Sequence, residues 1–270
     1  MDAVATQPRG LPLLATTETC SGRTYVVTGA NTGLGFEAAK HLVALDAAKV
    51  ILAVRNVAAG DIAKAKIEEA TGKTGVAEVW ALDLASYESV KMFANRVIAE
   101  LERVDALIEN AAVAMSSELK DDPLTKIDAG NVGGLKSYPL SKLLETLAVR
   151  QLASLVPLSR TGVVLNLVCP GFCITELRRN APADFREFMA AQEAQFGRTA
   201  EDGSRTLLHG AVAGKESHGR FLDSCEIADD KVPSWVTDEE GRKWQKNLWD
   251  VMAKELETIE PGCVKKVLSE

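Results

Sequence analysis

The chain has 270 residues, 26% of them charged and 46% hydrophobic, a soluble globular composition with length enough for one large α/β domain. A formal net charge of −7 without any Lys/Arg-rich run argues against a nucleic-acid or anionic-membrane partner, and no stretch approaches the roughly 18 apolar residues of a membrane span. The five cysteines (Cys20, Cys169, Cys173, Cys225, Cys263) are odd in number and form no CxxC pair, which fits reduced thiols in a cytoplasmic protein; the three histidines lack metal-ligand spacing, so no metal is assigned.

Residues 1–22 read as an N-terminal extension whose LPLL run is too short for a signal-peptide core. From residue 23 short apolar runs alternate with longer amphipathic ones, the pattern of a parallel sheet covered by helices. Strands are expected at 24–29, 49–54, 76–82 and 104–110, with helices at 35–47, 56–70 and 87–101 between them. A helix should open at YPLSK (138–142), because Ser137 can cap free amides and Pro139 is tolerated in a first turn. A later strand is expected at 162–168 and a helix at 199–214. The last clear helix opens with TDEE, where Thr237 and Glu240 have capping-box spacing. Trp244, Leu248, Met252 and Leu256 follow as one apolar stripe. No repeat or linker interrupts the chain, so 23–270 is expected to be a single domain, with residues 175–260 forming its substrate-binding part.

Directly after the first strand, TGANTGLG places Gly29, Gly33 and Gly35 ahead of a helix. Glycines there allow a sharp turn and let backbone amides approach a pyrophosphate at the positive helix end; taken alone, they could also be only a tight loop. Where an NAD site carries an acid at the end of the second strand, this chain has Arg55 and Asn56. An arginine suits a 2′-phosphate, which favours NADP(H) over NAD(H), although a solvated arginine at a strand end has the same sequence. Tyr138 and Lys142, four apart on a helix, can face one pocket, a spacing equally common on solvated helix faces.

TGANTGLG, LDL (82–84), ENAA (109–112), YPLSK and CPGFCIT (169–175), in this order, resemble the motifs of the short-chain dehydrogenase/reductase family. The likeness is closest to its retinol-dehydrogenase-like branch, including fungal members of secondary-metabolite pathways. It covers about residues 22–222 and, less distinctly, the C-terminal helix. The resemblance implies a Rossmann-like, doubly wound, mostly parallel sheet. It also implies that Gly29, Asn31, Gly33, Leu34 and Gly35 line the pyrophosphate, Asp83 and Leu84 the adenine, and Asn110 the ribose region. Pro170, Gly171 and Thr175 would contact the nicotinamide end. Tyr138 would be the general acid or base at the substrate oxygen, with Lys142 on the nicotinamide ribose favouring the tyrosine anion.

The interval from Asn110 to Tyr138 is only 28 residues. Members of the family place a helix, a strand and a catalytic-serine loop there, so the chain reads as lacking one helix-strand unit. Ser117 is the candidate catalytic serine, with Ser116 as its alternative, and either serine could be an ordinary loop residue. Asn131, in the turn-like GNVGG, does not replace the asparagine that the missing helix supplies in the family. The helix also commonly packs family dimers, which leaves the oligomeric state open. The expected function is NADP(H)-dependent interconversion of a carbonyl and an alcohol on a small apolar molecule. The rival expectation is a protein that binds NADPH without turnover and acts as a sensor or interaction partner.

Overall fold

The computed structural model describes residues 6–113 and 137–269. Ser116, Ser117 and Asn131, and with them most of the shortened interval, lie outside the described residues. In chain order the elements are α1 (Thr17–Cys20), β1 (Thr24–Thr28), α2 (Gly33–Ala44), β2 (Lys49–Val54), α3 (Val57–Thr71), β3 (Ala77–Ala81), α4 (Tyr87–Glu100) and β4 (Ala106–Ile108). There follow α5 (Ser137–Leu155), α6 (Leu158–Thr161), β5 (Leu167–Cys169), α7 (Ala183–Phe196), α8 (Ala200–Val212), β6 (Phe221–Asp223), β7 (Glu226–Ile227), α9 (Ser234–Thr237), α10 (Glu239–Ile259) and α11 (Cys263–Leu268).

The chain divides into two compact units. The first takes in Met1–Val113, Val168–Ala213 and Asp223–Cys225; the second takes in Ala114–Leu167, Gly214–Leu222 and Glu226–Glu270. In the first, four strands pair in parallel in the order β3-β2-β1-β4, as the alternation of strands and helices predicts. All of β1 and nearly all of β2 are buried, the near-continuous apolar reading of strands covered on both faces.

The two-residue period of the strands separates two cores. Tyr25, Val27, Val50, Leu52 and Ala77 pack with Ala38, Leu42 and Val43 of α2 and with Leu207 and Leu208 of α8. Val26, Ile51, Ala53 and Trp80 pack on the other side with Phe93 and Val97 of α4. Trp80 is the anchor of this second core. Its ring meets Phe93 edge-on at 5.9 Å, carries the Arg96 guanidinium 3.9 Å above its centre, and donates from Nε1 to Glu78 Oε2 at 3.1 Å. Trp80→Ala is expected to destabilise the fold by about 3–5 kcal/mol, the range for emptying a buried tryptophan site. Urea unfolding checks this; a loss under about 1 kcal/mol would mean that the α4 face contributes little to folding.

In the second unit Leu147 of α5, Val236 of α9 and Leu248 of α10 form the core, with Leu143, Leu144, Trp244 and Met252 packed against it. The stripe on α10 is therefore core over most of its length, while Leu256 at its end is exposed. Two local expectations need correction. The cap of α10 is Asp238, whose carboxylate accepts from the Gly241 amide at 3.0 Å; the Thr237 hydroxyl instead donates to Ser234 O, closing α9. The expected strand at 162–168 is reduced to Leu167–Cys169. Gly162, at φ +66°, ends α6 in the left-handed region. Leu165 then spends its backbone groups on the Ser217–Gly219 turn, its amide donating to His218 Nδ1 and its carbonyl accepting from the Gly219 amide.

Candidate functional site

Parallel pairing puts the carboxyl ends of β1 to β4 along one edge of the sheet, the edge where open α/β folds bind ligands. The glycine turn follows β1, Arg55 and Asn56 follow β2, Asp83 and Leu84 follow β3, and Asn110 follows β4. The sequence motifs thus share one edge because the strand register aligns them.

The turn itself is built around Thr28 and Asn110. The Thr28 hydroxyl accepts from the amides of Asn110 and Ala111 at 2.9 and 3.0 Å, and Asn110 Nδ2 donates to Thr28 O at 2.8 Å. Gly29, at φ +66°, lies so close to this bridge that a Cβ would stand 2.9 Å from Ala111 Cα. A Cβ on Gly35 would stand 2.5 Å from Asn110 Nδ2 and 2.9 Å from Gly29 O. Gly33, at φ +60°, opens α2, and a Cβ there would come within 3.6 Å of Thr175. Thr32 precedes α2 without a side-chain cap bond, so no cap covers the positive end of that helix. Asn31 and Leu34 sit in the same turn, half-buried. The turn thus closes directly on Asn110 and Ala111, an approach that Gly29 and Gly35 permit because they carry no Cβ.

The other expected contacts of the first unit are also placed. Arg55 is exposed and makes no hydrogen bond or ion pair among the described residues. Asn56 caps α3 by accepting from the Ala59 amide at 3.1 Å, so the expected helix at 56–70 begins one residue later. The Asp83 carboxylate accepts from the Ala85 amide at 3.0 Å, and Leu84 is exposed. Pro170 and Gly171 form a turn with Gly171 at φ +77°, and the Thr175 hydroxyl accepts from the Leu177 amide. Cys173 donates its thiol to Pro170 O at 3.2 Å; burial pushes its pKa up to about 12, which makes it a packing group and no nucleophile. All five cysteines are free, and among the described residues no cluster of three or more His, Cys, Asp or Glu is arranged to hold a metal. No helix among the described residues is long and apolar enough to cross a membrane.

Tyr138 and Lys142 belong to the second unit, in the first turns of α5. Ser137 is the first helical residue rather than a residue ahead of the helix. Tyr138 is half-buried, and Lys142 Nζ lies 5.9 Å from the centre of its ring. The ammonium donates to Glu145 Oε2 at 2.6 Å. Both partners of this pair are close to half exposed, so it is weak and leaves Lys142 free to exchange.

Three groups escaped the sequence reading. Thr28 carries a local signal, a hydroxyl at the end of the strand that precedes the glycines. Gln7 and Arg198 carry none, since their partners at Phe172 and Pro8 lie 165 and 190 residues away in sequence.

Fold and cradle define a Rossmann-type α/β protein with a glycine turn at the carboxyl edge of its sheet. The family model of the short chain dehydrogenases matches residues 23–137. The short chain dehydrogenase/reductase dmxR8 of Cryptosporiopsis sp. is 36% identical over 310 aligned residues, covering 90% of this chain and 93% of the relative. The short-chain dehydrogenase/reductase ffsI of Aspergillus flavipes is 30% identical, over 94% and 91%. Among solved structures, a candidate NAD(P) dependent gluconate 5-dehydrogenase from Beutenbergia cavernae with bound NADP is 25% identical. It covers 76% of this chain and 95% of its own, with a TM-score of 0.60. L-Sorbose reductase from Gluconobacter frateurii, complexed with NADPH and L-sorbose, shares the fold at 17% identity and a TM-score of 0.59, covering 76% and 96%. The chain belongs to the short-chain dehydrogenase/reductase family and is an oxidoreductase of that family.

Proposed function

We propose that this chain is an NADPH-dependent oxidoreductase that interconverts a carbonyl and an alcohol on a small apolar molecule of secondary metabolism. The observation that carries the reading is the turn after β1, where Gly29 and Gly35 let the backbone close on Asn110 and Ala111 and the start of α2 has no side-chain cap. A pyrophosphate fits such a place, because backbone amides and the helix dipole supply the positive field. Gly29, Asn31, Gly33, Leu34 and Gly35 would hold the pyrophosphate, Asp83 and Leu84 the adenine, Asn110 the ribose region, and Pro170, Gly171 and Thr175 the nicotinamide end. When bound, the nicotinamide supplies or accepts the hydride. Tyr138 moves the proton at the substrate oxygen, Lys142 holds the nicotinamide ribose, and Ser117 hydrogen-bonds the substrate oxygen. The NADP and NADPH bound by the Beutenbergia and Gluconobacter proteins support this cofactor.

Arg55 selects NADPH over NADH, since an exposed guanidinium without a partner can form charge-assisted bonds to the 2′-phosphate. Thermal unfolding of the purified chain with NADPH and, separately, NADH tests this, because a ligand of the folded state alone raises its midpoint. NADPH is expected to stabilise more than NADH, and Arg55→Ala to weaken NADPH about tenfold or more while leaving NADH unchanged. No shift with either nucleotide would overturn the reading.

One observation favours the second reading, nucleotide binding without turnover. The alignment to the Cryptosporiopsis relative spans 310 residues, more than the whole of this 270-residue chain, so it holds positions that this chain does not fill. Unfilled positions are what the loss of a helix-strand unit between Asn110 and Tyr138 would leave. NADPH binding by a chain inactive on a broad carbonyl panel is the outcome expected on this reading.

A further inference from the structure

Arg198 is buried to 1% exposure, and its guanidinium reaches three separate segments of the first unit. Nη1 donates to Pro170 O at 2.9 Å, Nε to Pro8 O at 2.7 Å and Nη2 to Ser224 Oγ at 2.6 Å. Its backbone continues the grip, the amide donating to Phe172 O and the carbonyl accepting from the Ile174 amide, each at 2.8 Å. Gln7 closes the same turn from the N-terminal segment. Its Oε1 accepts from the Phe172 amide at 2.8 Å, and its Nε2 donates to Phe172 O at 2.9 Å and to Phe196 O at 2.7 Å. The segment that carries Gln7 is tied down further along. The Asp202 carboxylate accepts from the amides of Gly10 and Leu11, and Arg205 donates to Leu11 O.

Gly171 is pressed into this clamp. A Cβ there would stand 2.5 Å from Arg198 Nη1 and 2.6 Å from Gln7 Oε1. Four residues on, Thr175 packs beside Gly33 of the glycine turn. One short segment thus runs from the clamp to the cradle, so its position is set by the clamp. Packing alone does not explain the choice of side chain, because a buried cation is costly and an apolar residue of similar volume fills such a site as well or better.

We propose that Arg198 and Gln7 are positioning residues that hold the Pro170–Phe172 turn for the nicotinamide half of NADPH, which makes the N-terminal extension part of the cofactor site. The proposal rests on the NADPH reading given above. Full-length Arg198→Met, Arg198→Lys and Gln7→Ala variants test it by titration with NADPH and with adenosine 2′,5′-bisphosphate, which lacks the nicotinamide half. Exchange of the Phe172 amide with deuterium is followed in parallel. In Arg198→Met and Gln7→Ala, NADPH binding is expected to weaken about tenfold with the bisphosphate unchanged and Phe172 exchanging faster. Arg198→Lys, which keeps the charge and part of the bonding, is expected to recover part of the loss. Equal weakening of both ligands would reduce the clamp to a general structural role and overturn the proposal, and so would unchanged NADPH binding in variants of a chain that binds it. If Arg198→Met does not fold, Gln7→Ala alone decides by the same criterion. A native chain that binds the bisphosphate or neither ligand, and not NADPH, defeats the cofactor reading itself and the proposal with it.

Discussion

Tyr138→Phe is expected to lower kcat by about two to four orders of magnitude while NADPH affinity stays within about twofold of the native value. The substitution removes one oxygen and keeps the ring, so the packing of α5 through Leu143, Leu144 and Leu147 is undisturbed. What is lost, on the proposed function, is the proton donor at the substrate oxygen. Lys142→Met makes a companion test: its ammonium pairs with Glu145 on a half-exposed face, so its removal costs little stability. Its kcat is expected to fall as well, with a weaker hold on the nicotinamide ribose appearing as poorer NADPH binding. The measurement is steady-state reduction of a panel of apolar ketones and aldehydes, with nucleotide binding measured separately. Undiminished turnover in Tyr138→Phe would remove Tyr138 from the chemistry.

The parts of the fold that the sequence reveals are those governed by local rules. The strand at 49–54 is found with the expected bounds because a buried parallel strand is a run of apolar residues with no competing period. The glycine turn is legible for a related reason, since Gly29 and Gly33 sit at positive φ where other residues are strained. At 162–168 the same apolar signal misleads, because the His218 turn captures the backbone groups that a strand would pair. Phe185, Phe188 and Met189, whose helical spacing suits a pocket wall and core packing equally, fall in α7, where both phenylalanines are exposed. The clamp of Gln7 and Arg198 is hidden for another reason. Neither residue belongs to a motif, and only the folded chain brings residue 7 to Phe172.

Gly35→Val is expected to abolish the rise in unfolding midpoint with NADPH and to destabilise the free protein by about 1–3 kcal/mol, the cost of overpacking a close-packed site. The reason is the rigidity of what surrounds the missing Cβ. Asn110 Nδ2, 2.5 Å from that position, is held by its bond to Thr28 O, and Gly29 O on the other side is backbone. Neither can retreat without opening the bridge between β1 and β4, and any shift of α2 disturbs the proposed pyrophosphate site at its start. Gly72→Ala supplies the contrast. That residue ends α3 at φ +68° with nothing within 4 Å of an added Cβ, so it pays backbone strain of about 1–2 kcal/mol and no steric cost. Its NADPH response is expected to match the native protein's despite a lower midpoint. Thermal scans of both variants across a nucleotide titration separate the two effects. A Gly35→Val protein that still responds to NADPH as the native chain does would place the nucleotide away from the cradle after β1.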